Sequence, residues 1–136
     1  MKKFVYVFLT VILLVCGSLL CVSCGSSSDV DMDLASLNNK SAYAGAYNIY
    51  SAPADYDGKI VRIKGTFSSG SITGASDKEH YFVDVYDGTC CTTWVAFSWN
   101  GDLPVRGRTL TVTGVLKAKT ENGSVYPEIE ATSVEF

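Results

Sequence analysis

The chain has 136 residues, 47% of them hydrophobic and 18% charged, with 14 acidic against 11 basic side chains and a formal net charge of −3. No run of basic residues occurs, so the positive footprint that a nucleic-acid backbone requires is missing. Five cysteines in this length do not make a disulfide-dense scaffold, and the length suits one small domain.

The chain opens with Lys2 and Lys3, followed by an almost unbroken apolar run from Phe4 to Leu20 and a small residue at Ser23. Charge, apolar run and small residue in that order are the parts of an export signal. The run is about 17 residues, near the lower limit for crossing a bilayer, so an ordinary secretory signal or a retained membrane helix is the plain alternative. The segment Leu20-Cys21-Val22-Ser23-Cys24-Gly25 resembles the lipobox of bacterial lipoproteins, with Cys21 at the place usually taken by leucine. In that family the cysteine after a small residue is acylated and becomes the new N-terminus. Val15 and Leu20 are too large to precede the cut at Cys16 or Cys21, which leaves Cys24. The resemblance implies a lipoprotein signal peptide over residues 1–23 and palmitate-type lipidation of Cys24. It also implies a protein held on the extracytoplasmic side of a cell membrane or envelope. An N-terminus carrying more than one acyl chain holds a bilayer far better than one carrying a single chain.

Removal of residues 1–23 leaves about 113 residues. Two basic and no acidic side chains go with the signal, so the remainder carries a net charge of about −5. Residues 24–40 begin Cys24-Gly25-Ser26-Ser27-Ser28-Asp29 and read as a flexible, Ser-rich tether with too little apolar surface to order itself. Residues 41–136 form the domain.

Residues 41–51 are predicted as one short helix, capped by Ser41 and stopped by Pro53, with Tyr43, Ala46, Tyr47 and Tyr50 as one aromatic stripe. From Lys59 the period changes to two. Val61, Ile63 and Phe67 alternate with Arg62, Lys64 and Thr66, as in a half-buried strand, and Gly65 suggests a bulge or bend. A Gly/Ser-rich loop, Ser68 to Ser76, leads to a second strand over residues 79–86. A turn at Asp87-Gly88 leads to a third over 91–99. A fourth strand follows over 108–118 and, after the Asn122-Gly123 turn, a fifth over 124–136, interrupted near Pro127.

Five short strands with a mid-strand glycine predict a mainly β fold, a small barrel that is closed or nearly so. Tyr56-Asp57-Gly58-Lys59-Ile60-Val61-Arg62-Ile63-Lys64-Gly65 resembles the opening strand of bacterial OB-fold domains. Arg108-Thr109-Leu110-Thr111-Val112-Thr113-Gly114 resembles their fourth strand. The Cys90-Cys91 pair is similar to that of certain exported OB-fold lipoproteins of unassigned function. The resemblance covers roughly residues 53–136 and implies a five-stranded OB-like barrel. Asn100 to Gly107 is too short for the helix that many OB-folds insert there, so the helix at 41–51 is expected to cover the open end instead.

The vicinal pair Cys90-Cys91 is the least ordinary feature. Adjacent strand residues point to opposite faces, so the two sulfurs meet at one site only if Asp87-Gly88-Thr89 takes the backbone out of the strand. Local packing or a strained disulfide, thiol-redox chemistry, and metal binding with His80 or an acidic neighbour are the three readings. His80, the single histidine, reads as a solvated residue at a strand start. Asp84, Asp87, Glu128 and Glu130 are scattered carboxylates of the kind that more often solvate an outer face than pair as acid and base.

If Val83, Val85, Val95 and Phe97 point inward, alternation places Phe82, Tyr86 and Trp94 on the outer face. OB-folds commonly grip ligands there with stacked rings. A saccharide, peptide or protein suits an acidic exported domain better than nucleic acid. The competing expectation is that the helix or tether simply covers these rings. The sequence therefore reads as a lipid-anchored, extracytoplasmic binding module without catalytic residues, cofactor or resident metal. The alternative is a thiol-redox or metal-binding envelope protein using Cys90 and Cys91.

Overall fold

The computed structural model describes residues 29–136. The signal segment, the lipobox and Cys24 lie outside them, and among the described residues no helix is long and apolar enough to cross a membrane.

The chain enters through β1 (Met32–Asp33), which pairs in parallel with Val61 and Arg62. Helix α1 (Asn39–Ser51) follows, then a 3-10 turn (Pro53–Tyr56) and five strands: β2 (Ile60–Gly70), β3 (His80–Tyr86), β4 (Thr92–Ser98), β5 (Thr109–Glu121) and β6 (Ser124–Glu135). The order β2-β3-β4-β6-β5 closes because β2 also pairs with β5, and β4 meets β6 in parallel. This is a small five-stranded OB-like barrel with one helix.

Closure depends on β2 serving two neighbours. Ile60–Thr66 pair with β5, and Thr66–Gly70 pair with β3. Gly65 stands at the change of partner, where a side chain would collide with the carbonyl of Asp84, so the predicted bend is a point of close backbone approach. The matching irregularity in β5 falls between Thr113 and Gly114, opposite β6. At the β5–β6 hairpin, Asn122 and Gly123 both have positive φ, 49° and 85°. That is the turn whose twist suits antiparallel strands.

Alternation selects the interior. Val61, Ile63, Phe67, Val83, Val85, Val95, Phe97, Leu110, Val112, Leu116 and Ile129 are buried in one cluster. Each such side chain contributes about 1.5–3 kcal/mol when fully removed from water. Ala42, Ala46 and Ile49 of α1 belong to the same cluster, so the helix packs on the barrel as its end cover.

Five details differ from the sequence reading. Inside the expected tether, Met32–Asp33 pair with β2 and Leu34 is buried in the core. The helix begins earlier, because the Asn38 side chain accepts from the Ser41 amide at 3.0 Å and caps it. Its buried face is Ala42, Ala46 and Ile49, while Tyr47 and Tyr50 stay exposed. The small face allows close approach, and Leu34 lies directly against Gly45. Strand β2 runs on through Ser68 to Gly70, shortening the Gly/Ser loop. Finally, β6 passes through Pro127 unbroken. β4 joins β6 only from Glu128, so one flank at Pro127 has no strand partner, and a proline without an N–H is tolerated there.

Candidate functional site

Two places on the barrel gather the side chains that the sequence singled out. The first is an aromatic cleft. Phe82 and Ala96 are cross-strand partners whose side chains lie on the face opposite Val83 and Val95. They form a second apolar cluster with Ile72 from the β2–β3 loop and Tyr126 from β6. Trp94 packs beside it, its ring centroid 5.0 Å from that of Phe82 at 63°. Tyr50, from the last turn of α1, also meets Trp94, at 4.9 Å and 73°. Both contacts have the edge-to-face geometry that aromatic quadrupoles favour.

Between these elements lies a cleft of about 530 Å³ lined by Tyr50, Ile72, Phe82, Trp94, Val125 and Tyr126. The hydroxyls of Ser51, Ser71, Thr73 and Ser124 complete its wall, and no lining side chain is charged. Phe82 is only 9% exposed and forms the floor, whereas Trp94 is half-buried and Tyr50 is 42% exposed. The helix therefore flanks the rings and leaves a cleft beside them.

Tyr86 does not join this site. It is 49% exposed, donates its hydroxyl proton to the carbonyl of Thr89 at 2.7 Å, and lines a separate hollow with Asp84 and Lys64. Burial raises the carboxyl of Asp84 above its usual range.

Behind the cleft sits a polar group that periodicity could not reveal. His80 opens β3 but is only 5% exposed, which corrects the expectation of a solvated histidine. Its ring stands at 5.4 Å and 78° to Tyr126, and its Nε2 lies 3.7 Å from Oε2 of Glu121. That nitrogen is buried without a hydrogen-bond partner. Glu121 accepts from the Ser76 hydroxyl at 2.7 Å. Bonds from Ser76 and Tyr126 hold its carboxyl below the usual range, while burial and then Glu121 push the Tyr126 hydroxyl up. Glu128 and Glu130 do not form an acid–base pair across a cleft. Both face Lys119, at 3.8 and 2.9 Å.

The second place is the β3–β4 connection. Gly88 has a φ of 89°, and the chain turns there around the Asp87 carboxylate. Oδ1 accepts from the amides of Thr89, Cys90 and Cys91 at 2.7, 3.0 and 3.1 Å, and Oδ2 from the Thr89 hydroxyl at 2.7 Å. These bonds, Thr89 first, hold the Asp87 carboxyl at about 2. Strand β4 starts only at Thr92, so Cys90 and Cys91 are outside it, exposed, with sulfurs 2.8 Å apart. The departure from strand geometry that a shared thiol site requires is present. Contact with Cys90, partial desolvation and the charge of Asp87 push the Cys91 thiol up.

No protein-family model and no curated protein matches this chain.

Proposed function

We propose that this protein is a lipid-anchored, extracytoplasmic binding module that holds a neutral saccharide in the aromatic cleft of its OB-like barrel, and that it performs no catalysis. The observation that carries the reading is the cleft itself: Trp94 in edge-to-face contact with Tyr50 and Phe82, in a lining that also holds Ser51, Ser71, Thr73 and Ser124. Apolar sugar faces stack on aromatic rings, and sugar hydroxyls pair with short polar side chains. The lack of charge in the lining argues against phosphate-bearing ligands, as does the acidic balance of the chain. Anchoring rests on the likeness of residues 20–25 to a lipobox, and the acylated Cys24 supplies the membrane as the protein's other partner.

The test is a glycan array probed with full-length protein in a detergent that has no sugar headgroup, followed by calorimetry on the glycans retained. Retention by the wild type that is lost in Trp94→Ala, with the far-UV spectrum unchanged, supports the reading. No glycan retained above the Trp94→Ala level overturns it. Retention of peptides instead would assign the cleft to a peptide or protein ligand.

A further inference from the structure

The thiol loop is not used by the cleft, and its geometry has a chemistry of its own. In a strand, successive side chains point to opposite faces. Here the amides of Cys90 and Cys91 both point at Oδ1 of Asp87. The two residues lie outside β4, and their sulfurs stand 2.8 Å apart. Asp87, Cys90 and Cys91 each bring a donor atom to within 4.8 Å of the other two.

We propose that this loop is a site for a thiophilic divalent cation of the zinc class. Cys90 and Cys91 supply two thiolate ligands, Oδ2 of Asp87 supplies the third, and the fourth position stays open to solvent. The donor set decides the class of ion. Thiolates select zinc and softer ions over calcium and magnesium, which require oxygen cages. A carboxylate as third ligand favours zinc over copper(I). Zinc–sulfur bonds near 2.3 Å at a tetrahedral angle put two sulfurs about 3.8 Å apart. The pair must therefore open by about 1 Å from its present separation, which rotation of two exposed side chains provides.

Asp87 is prepared for its part. Oδ1 is occupied by three amides, which fix the plane of the carboxylate. Oδ2 takes only the Thr89 hydroxyl and keeps a lone pair for a cation. These backbone bonds orient the carboxylate as outer partners orient the ligands of a metal site. Binding exchanges two S–H protons for two S–Zn bonds and releases both protons to solvent, with no change of oxidation state. Three protein ligands and an open fourth position describe a zinc that outside molecules can reach.

The experiment is a zinc titration of the full-length protein, reduced with a phosphine, in competition with a chromophoric chelator. Variants are Cys90→Ser, Cys91→Ser, the double serine variant and Asp87→Asn. The double variant also subtracts any zinc taken by cysteines elsewhere in the chain. Wild type should bind one equivalent beyond the double variant and release about two protons per ion, read by calorimetry in two buffers. Either single serine should weaken binding by roughly 100-fold or more, and Asp87→Asn by about 10-fold. Unchanged far-UV spectra and melting points would show that the variants fold. Zinc held no more tightly by wild type than by the double variant overturns the proposal, as does binding without proton release. Affinity unchanged in Asp87→Asn overturns the assignment of its carboxylate.

Discussion

Tyr50 of the helix and Trp94 of β4 stand edge to face with ring centroids 4.9 Å apart, although 44 positions separate them in the chain. The helix thus does two things: its alanine face closes the barrel, and its last tyrosine builds one wall of the cleft. Trp94→Ala should lower stability by about 2 kcal/mol and Tyr50→Ala by about 1 kcal/mol. A double-mutant cycle in urea should return a coupling of about 0.5–1.5 kcal/mol. Additive losses would show that the rings are merely neighbours.

Asp87 gives a pH dependence with a definite sign. Its carboxyl is held at about 2, below the ordinary value for aspartate. A depressed folded-state value stabilises the loop above the ordinary carboxylate range, and that stabilisation is lost as pH falls through about 2. The amide proton shifts of Thr89, Cys90 and Cys91 should therefore hold steady down to about pH 4 and move together with a midpoint near 2. In Asp87→Asn the movement should vanish. A midpoint near 4 in the wild type would mean that the three amide bonds do not persist in solution.

Gly65 and Gly114 should not tolerate a methyl group. A Cβ at Gly65 meets the carbonyl of Asp84, and one at Gly114 meets the carbonyl of Glu130. Each obstacle is sheet backbone, which cannot swing aside. Gly65→Ala and Gly114→Ala should each cost about 3 kcal/mol, at the upper end of ordinary overpacking, measured as a shift in the urea midpoint at constant slope. Gly123→Ala, with open space around it but a φ of 85°, should cost about 1 kcal/mol. Equal losses at all three positions would refute the steric account.

His80 has a buried ring nitrogen with no hydrogen-bond partner. An orphaned polar atom of this kind is a cost to the fold, so an apolar side chain of similar volume should be tolerated. His80→Leu is expected to stay within about 1 kcal/mol of the wild type or to exceed it. A loss above about 2 kcal/mol would show that the nitrogen has a partner of structural weight, with Glu121, 3.7 Å away, as the first suspect.

Anchoring at Cys24 predicts a mature protein that begins at that residue and carries acyl mass. Intact-mass spectrometry of membrane-extracted protein should show both, and Cys24→Ser should abolish the acyl mass and the membrane association together. A mature N-terminus elsewhere, or an unmodified Cys24, would remove the lipobox reading.

Much of the barrel was legible because a period of two is written directly in Val61-Ile63 and Val83-Val85, and the structure buries all four. The same alternation correctly put Phe82 and Trp94 on one outer face. It could not supply Ile72, Tyr126 or Tyr50, since these reach the cleft from a loop, another strand and the helix, and no local pattern encodes such meetings. The helix misled for a physical reason. Tyr43, Tyr47 and Tyr50 share three- and four-residue spacing with Ala42, Ala46 and Ile49, and hydrophobicity favours the larger side chains. Close approach to the barrel favours the smaller ones. His80 was misread because burial of a polar ring depends on what folds over it. Asp87 went unremarked as an organiser because its four acceptor contacts are made to its own following residues, a turn that identity alone does not announce.

The double pairing of β2 has a consequence for how this protein meets its own kind. An open sheet of the same strands would end in two rows of unsatisfied N–H and C=O groups, to which a strand from another molecule could add. Here the row that β5 would have exposed is taken up by the first half of β2, and β1 lies along β2's other flank at Val61 and Arg62, before β3 begins its pairing. Among the described residues, the free backbone edge that remains lies where β4 and β6 diverge, before Ala96 and Glu128. At the closed seam between β2 and β5, a second copy would therefore meet side chains rather than a free strand edge.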